Sequence, residues 1–294
     1  MTERELEQAR RHKWRLDGPP LTSAGEAQSF LESVGLCLMH VQKSAPPLPV
    51  FPSAAGQPKS GAAEVPELAI QLLRRKQAFE ARVFGDNALL VAASAFPYFY
   101  ALAGDRNPEL ETGVAARAGK LSRLAADIYA VLQKRGARTK GQLRDDLGGE
   151  PSGPALDRSL GELWARLLIT RVDYTAAEGA SWDALYRWAP EAVKAGIRLS
   201  VAEALSGLVS RYLDAVIAAE QGEVETFFSL LVSRSRVRET IHALLAAREV
   251  SFCSVGRRTL LELAPERAEF PEPHARTRRP TRTPAVRHTK KAVR

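Results

Sequence analysis

The sequence predicts a mainly α-helical fold with small β-hairpins, arranged as tandem winged helix-turn-helix units. Three observations carry this. Apolar residues recur at helical spacing between recognisable start and stop residues along most of the chain. Residues 121–188 read as three helices followed by two strand-like segments, the order of a winged helix. The same order returns in residues 200–263, and a repeated pattern is better evidence than either copy alone.

Each element follows from its residues. Residues 1–20 are charged and end in Gly18-Pro19-Pro20, which stops a helix. Thr22 or Ser23 can cap the next helix, with Glu26 at the capping-box offset from Ser23. Phe30, Leu31 and Val34 give that helix an apolar face and Gly35 ends it. Leu36–Val41 reads as a short buried strand. Ala45–Pro49 is stiff and extended, and Gln57–Gly61 is a loop. Leu68–Glu80 reads as one amphipathic helix carrying Arg74, Arg75 and Lys76. Ala88–Ala103 is mostly apolar, and its run Phe96-Pro97-Tyr98-Phe99-Tyr100, flanked by Ala and Leu, reads as core rather than as a base-stacking platform.

The first clear unit has helices at Leu121–Lys134, Lys140–Leu147 (capped by Thr139) and Pro154 to about Leu168. The third carries Leu156, Leu160, Leu163, Trp164 and Leu167 on one stripe. Leu168–Tyr174 and Trp182–Trp188 read as its strands. The second unit has helices at Ser200–Ala219, Glu223–Leu231 and Ser233–Arg248, then strands Val250–Val255 and Thr259–Leu263 around a turn at Gly256-Arg257-Arg258. The expected division is a helical extension (1–20), a winged-helix-like domain (21–115), two winged-helix domains (116–196 and 197–268) and a disordered basic tail (269–294).

Charge is concentrated at one end. The chain has 294 residues with 42 Lys+Arg against 34 Asp+Glu. Eight of those cations, and no acid, lie in residues 273–294, so the rest of the chain is formally neutral. An arm with Pro280 and Pro284 and almost no large apolar residue does not fold alone, but it can hold a polyanion by counterion release. Its Arg276, Arg278, Arg279, Arg282, Lys290 and Lys291 are expected phosphate contacts. The competing reading is a solvated tail that aids solubility.

The remaining expected DNA contacts come from the fold. In a winged helix the third helix enters the major groove and the wing touches backbone or minor groove. The outward face of the first third helix holds Arg158, Glu162, Ala165 and Arg166; that of the second holds Ser235, Arg236, Glu239, Ala243 and Ala246. Arg135, Arg138 and Lys140 flank the second helix of the first unit, Arg257 and Arg258 sit on the later wing, and Arg234 opens a helix, where free N–H groups favour phosphate. Winged helices also mediate protein contacts, and that alternative stands beside double-stranded DNA as partner.

Several classes are excluded or weakened. The longest apolar runs are too short to cross a bilayer, so no membrane partner is expected. Cys37 and Cys253 make no disulfide framework and no C-x-x-C, which points to a reducing cytoplasm. The histidines, His12, His40, His242, His274 and His288, form no metal-binding pair, and no nucleotide-binding loop occurs, so neither metal nor cofactor is expected. His40 is the one ionisable group in the apolar stretch Val34–Val41, with Gln42 two residues on. These two are the candidate catalytic residues, against a plain reading of His40 as a satisfied histidine at a strand edge.

Taken together, Phe30-Leu31-Glu32-Ser33-Val34-Gly35-Leu36-Cys37-Leu38-Met39-His40, followed by Leu48-Pro49-Val50-Phe51 and Ala54-Ala55-Gly56, resembles the bacterial winged-helix DNA glycosylases of the AlkZ/YcaQ type. Ala95–Gly104 and the first winged-helix unit fit a divergent, AlkZ-related branch. The resemblance implies tandem winged helices forming a concave surface for DNA. It also implies relatives that excise alkylated bases and unhook crosslinks with a Gln-x-Gln or Gln-x-Asp pair. The positions of this chain that match the pair are Leu38 and His40, and neither pair occurs anywhere in the sequence. The expectation is a DNA-binding protein related to repair glycosylases without the usual pair, nucleoid-associated. An active glycosylase and a transcription regulator are the alternatives.

Overall fold

Serine and threonine caps mark where several of the described helices begin. Ser23 Oγ accepts from Glu26 N at the start of α2 (Ala24–Val34), and Ser122 does the same for α6 (Arg123–Arg135). Thr139 with Gln142 and Ser200 with Glu203 form full capping boxes on α7 (Lys140–Asp146) and α11 (Val201–Val216). Ser152 caps α8 (Gly153–Ala165), with Pro154 in its first turn. Gly35, at φ 72°, ends α2 in the left-handed region. The structure, a computed structural model, describes residues 1–39, 47–54, 66–84, 87–108 and 121–264. The Gln57–Gly61 loop and the tail therefore lie outside the described residues.

One order of elements occurs three times. The first copy is α2, β1 (Leu36–Leu38), α3 (Phe51–Ala54), α4 (Glu67–Arg74), β2 (Ala78–Phe84) and β3 (Asn87–Ala92). After α5 (Phe96–Ala103), the second is α6, β4 (Arg138–Thr139), α7, α8, β5 (Ile169–Thr175) and β6 (Gly179–Ala184). After α9 (Leu185–Trp188) and α10 (Pro190–Arg198), the third is α11, β7 (Ala218–Ala219), α12 (Gln221–Phe228), α13 (Arg234–Ala246), β8 (Val250–Val255) and β9 (Arg258–Leu263). The sheets run β1-β3-β2, β4-β6-β5 and β7-β9-β8, with every strand pair antiparallel. In each, the short strand after the first helix pairs with the last strand, as in Leu36↔Val91, Arg138↔Trp182 and Ala218↔Glu262. Periodicity alone left the first copy undecided, because its middle helices are short.

The structure corrects three elements. The single helix expected over 68–80 stops at Arg74; Lys76 turns to φ 57°, and the chain leaves as β2, which puts Glu80 on a buried strand. The strand expected over 182–188 ends at Ala184, and Leu185–Trp188 is helical. The long helix expected to reach Ala219 ends at Val216; Ile217 takes φ 67° and frees Ala218 and Ala219 to pair with β9.

Packing joins the first and third copies. One core runs from Phe30, Leu31 and Val34 through α5 to Leu205, Leu208, Tyr212 and Leu213, whereas the middle copy has its own core around Ile128, Leu132, Leu143, Leu163 and Trp164. All four rings of α5 are buried, and Phe96 stacks on Phe79 with centroids 4.0 Å apart. α1 (Glu3–Lys13) is bound to the third copy: Leu6 packs with Ala218, Val255 and Leu260, and Arg10 donates to the carbonyls of Val216 (2.8 Å) and Ala218 (2.6 Å).

Glycine sets the approach of α5 to its neighbours. A Cβ on Gly207 would lie 2.6 Å from Tyr98 Cε1, and one on Gly196 would lie 2.8 Å from Tyr100 Cβ. Gly222, in α12, faces open space. Gly207→Ala is expected to lower stability by about 1–3 kcal/mol, as overpacking does. Gly222→Ala should leave stability unchanged or raise it by up to about 1 kcal/mol. Thermal and urea unfolding of the two variants checks this; equal effects would mean that the Tyr98 contact is not tight.

Candidate nucleic-acid interface

The outward faces of α8 and α13 are the natural places to look for nucleic-acid contacts, since the repeated order leaves them uncovered by their own units. On α8, Arg158, Ala165 and Arg166 are exposed. Glu162, the acid among them, is half-buried and accepts from Ser122 N (2.9 Å) and Ser122 Oγ (2.6 Å). Its charge therefore faces the positive start of α6, where it is stabilised. On α13, Ser235, Arg236, Glu239, Ala243 and Ala246 are all exposed.

The expected cations divide into two groups. Arg158, Arg166, Arg236 and Arg257 form no ion pair with a described residue and are open to a phosphate. The others are engaged. Arg135 and Arg138 share Asp146, the latter at 3.1 Å, and Lys140 reaches Asp157 at 2.8 Å. Arg234 pairs with Glu225 at 2.7 Å. Arg258 stands 3.5 Å from both Glu3 and Glu220, so α1 reaches the start of β9. His40, Gln42, Arg276, Arg278, Arg279, Arg282, Lys290 and Lys291 lie outside the described residues. Cys37 is fully buried, with burial pushing its thiol up, which makes it a poor nucleophile. Among the described residues no group of His, Cys, Asp and Glu could hold a metal ion, and no helix is long and apolar enough to cross a membrane.

Two charged clusters escaped the sequence reading. The first joins the first and middle copies. Buried Glu80 on β2 accepts from Arg171 Nη1 (2.9 Å) and Tyr174 Oη (2.7 Å) on β5, while its backbone carbonyl takes Trp164 Nε1 (3.0 Å) and Thr170 Oγ1 (2.9 Å). Burial pushes the Glu80 carboxyl up from its ordinary value, against the pull of Arg171 and the Tyr174 hydroxyl. Nothing local announces this cluster, because its partners are some 90 positions apart in the chain. The second is Glu225 on α12. It is buried, yet three side chains donate to it: Arg234 through Nε (2.7 Å), Arg238 through Nε (3.0 Å) and Nη2 (3.1 Å), and Gln221 through Nε2 (3.0 Å). Hydrogen bonds from Arg238, Arg234 and Gln221 hold its pKa down to about 2. A signal existed here: an acid between Val224 and the pair Phe227-Phe228 on an apolar face.

Comparison with known proteins adds to this geometry. The family model described as "DNA glycosylase AlkZ-like" matches residues 60–283. Among solved structures, the chain is similar to the DNA glycosylase AlkZ of Streptomyces sahachiroi, at 15% identity and a TM-score of 0.58, over 90% of this chain and 70% of that one. At that identity the likeness speaks for the fold. No curated protein matches the sequence.

The depressed carboxyl gives a pH prediction. Glu225 titrates at about 2 when folded against an ordinary value of 4.5, so its contribution is complete above pH 4.5 and is lost as pH falls toward 2. Glu80, shifted upward, works in the opposite direction and does not confuse the comparison. Unfolding midpoints of the native chain and Glu225→Gln should converge as pH is lowered from 5 to 2; a gap of constant size would show that Glu225 is not a paired anion.

Proposed function

Because the chain belongs to the AlkZ-like DNA glycosylase family, we propose that it binds duplex DNA through tandem winged-helix units and that it lacks the catalytic pair of the family's active members. The threefold order of helix, short strand, two helices and hairpin supports winged-helix units, with α8 and α13 as the helices that approach the groove. The division into domains at 21–115, 116–196 and 197–268 goes with this reading. So does a cytoplasmic, nucleoid-associated place in a bacterial cell.

The observation that carries the non-catalytic part is Leu38. It stands at the first position that matches the pair, on β1, with its side chain 2% exposed and its N–H donating to Pro49 O at 2.8 Å. A buried leucine neither orients a water nor accepts a proton. His40 and Gln42 are then the residues left to do any hydrolysis. Removing a base by water attack also needs stabilisation of a positive sugar, usually by a carboxylate or an oriented water. The sequence has no acid between Ser33 and Glu64 to supply it locally.

Binding is expected to be largely electrostatic. Arg158, Arg166, Arg236 and Arg257 offer open guanidinium groups, and residues 273–294 add eight cations. Deleting 273–294 should weaken binding and flatten the salt dependence of log K by up to about 7 units, fewer where a cation meets no phosphate. Equal affinity and slope in the truncated chain would remove the tail from the binding mode. Chemistry is tested separately on alkylated and crosslinked oligonucleotides. No base release is expected; release that disappears in His40→Ala would make the protein an active glycosylase. Protection of one palindromic promoter site would instead favour a transcription regulator.

A further inference from the structure

Arg234 and Arg238 lie one turn apart on α13, and both turn back to a single carboxylate. Arg234 Nε and Arg238 Nη2 meet at Glu225 Oε2 (2.7 and 3.1 Å), while Arg238 Nε takes Oε1 at 3.0 Å. The exposures of the three groups differ sharply. The Glu225 side chain is 4% exposed, but those of Arg234 and Arg238 are 57% and 53% exposed. The anion is hidden and the cations are not, so an approaching molecule meets two guanidinium groups whose orientation is already fixed. A guanidinium carries five N–H donors. Arg234 gives Glu225 only its Nε–H, and Arg238 gives its Nε–H and one from Nη2.

The start of the helix adds donors. Ser233 stands at the cap position of α13 but makes no side-chain cap; its Oγ sits 3.2 Å from Ser235 Oγ instead. The first-turn N–H groups thus lack the serine or threonine partner that serves α6, α7, α8 and α11. We propose that Arg234 and Arg238, held in place by Glu225, form a preorganised clamp for one phosphodiester of duplex DNA at the start of α13. Arg238 is thereby a contact residue in its own right, and Glu225 a positioning residue. Two planar forks fixed about one oxygen suit a tetrahedral oxyanion, and their ordering cost is met in folding rather than in binding. This inference rests on the DNA-binding reading above.

The test is titration of the full chain against a short duplex of arbitrary sequence over a range of salt. Arg238→Ala should bind several-fold more weakly, with a salt slope smaller by about 0.9. Arg238→Lys keeps the charge but loses the fork, and should bind more weakly than the native chain at nearly the native slope. Glu225→Gln removes a negative charge, so simple electrostatics predicts tighter binding; a positioning role predicts weaker binding. Arg238 is more than half exposed, so its two variants decide the matter even where Glu225→Gln fails to fold. Native affinity and slope in Arg238→Ala would overturn the clamp alone. Tighter binding by Glu225→Gln would overturn the positioning role. Absence of binding by the native chain at low salt would overturn the clamp and the DNA reading together.

Discussion

A buried carboxylate governs how the middle copy sits on the rest of the protein. The middle copy closes its own core around Trp164 and Leu163, and it meets the first copy across β2, α4 and β5. At that seam Glu80 is removed from water, which costs heavily unless each oxygen finds a donor. Arg171 and Tyr174 supply the donors. Arg171 in turn lies against both the Trp164 and Trp182 rings, with its guanidinium carbon 4.3 and 4.8 Å from their centroids. Such an arrangement has one good geometry, because sliding the seam would strand a charge in an apolar environment. It specifies the relative orientation of the two copies as well as holding them together. Arg74 and Asp173 repeat the connection nearer the surface, at 2.7 Å, where an ion pair contributes less.

The other joint is apolar. α5 is buried between the first and third copies, and Gly196 and Gly207 let α10 and α11 come close enough to touch the rings of Tyr100 and Tyr98. α1 then closes the third copy from outside with Leu6, Arg10 and the Trp14 indole, whose Nε1 donates to Ala215 O at 2.6 Å. The beginning of the chain and its last described strand are therefore parts of one packed body. A frame of this kind keeps α8 and α13 at fixed positions relative to the shared core.

The frame also sorts the cations. Where an acid lies within reach, as Asp146 does for Arg135 and Arg138, a lysine or arginine is spent on the fold and contributes less to a polyanion. Where the acid is hidden and the cation is not, as at Glu225, the ion pair fixes a positive group at the surface. A count of basic residues does not distinguish these cases. Burial and bond geometry do.

The sequence by itself determined the local structure. Ser23, Ser122, Thr139, Ser152 and Ser200 cap helices because a side-chain oxygen two or three residues from a free N–H needs no distant partner. The apolar stripe of α8 and the two strands of the last hairpin followed equally from local pattern, and the elements of the later two copies were legible for that reason. The tertiary structure alone decided what depends on residues far apart. It ended the helix at Arg74 so that Glu80 could pair on a strand, and it drew Ala218 and Ala219 into the third sheet. It also separated the open Arg158, Arg166, Arg236 and Arg257 from cations already held by acids. Propensity acts over one turn of chain; charge pairing and burial act between surfaces that only folding brings together.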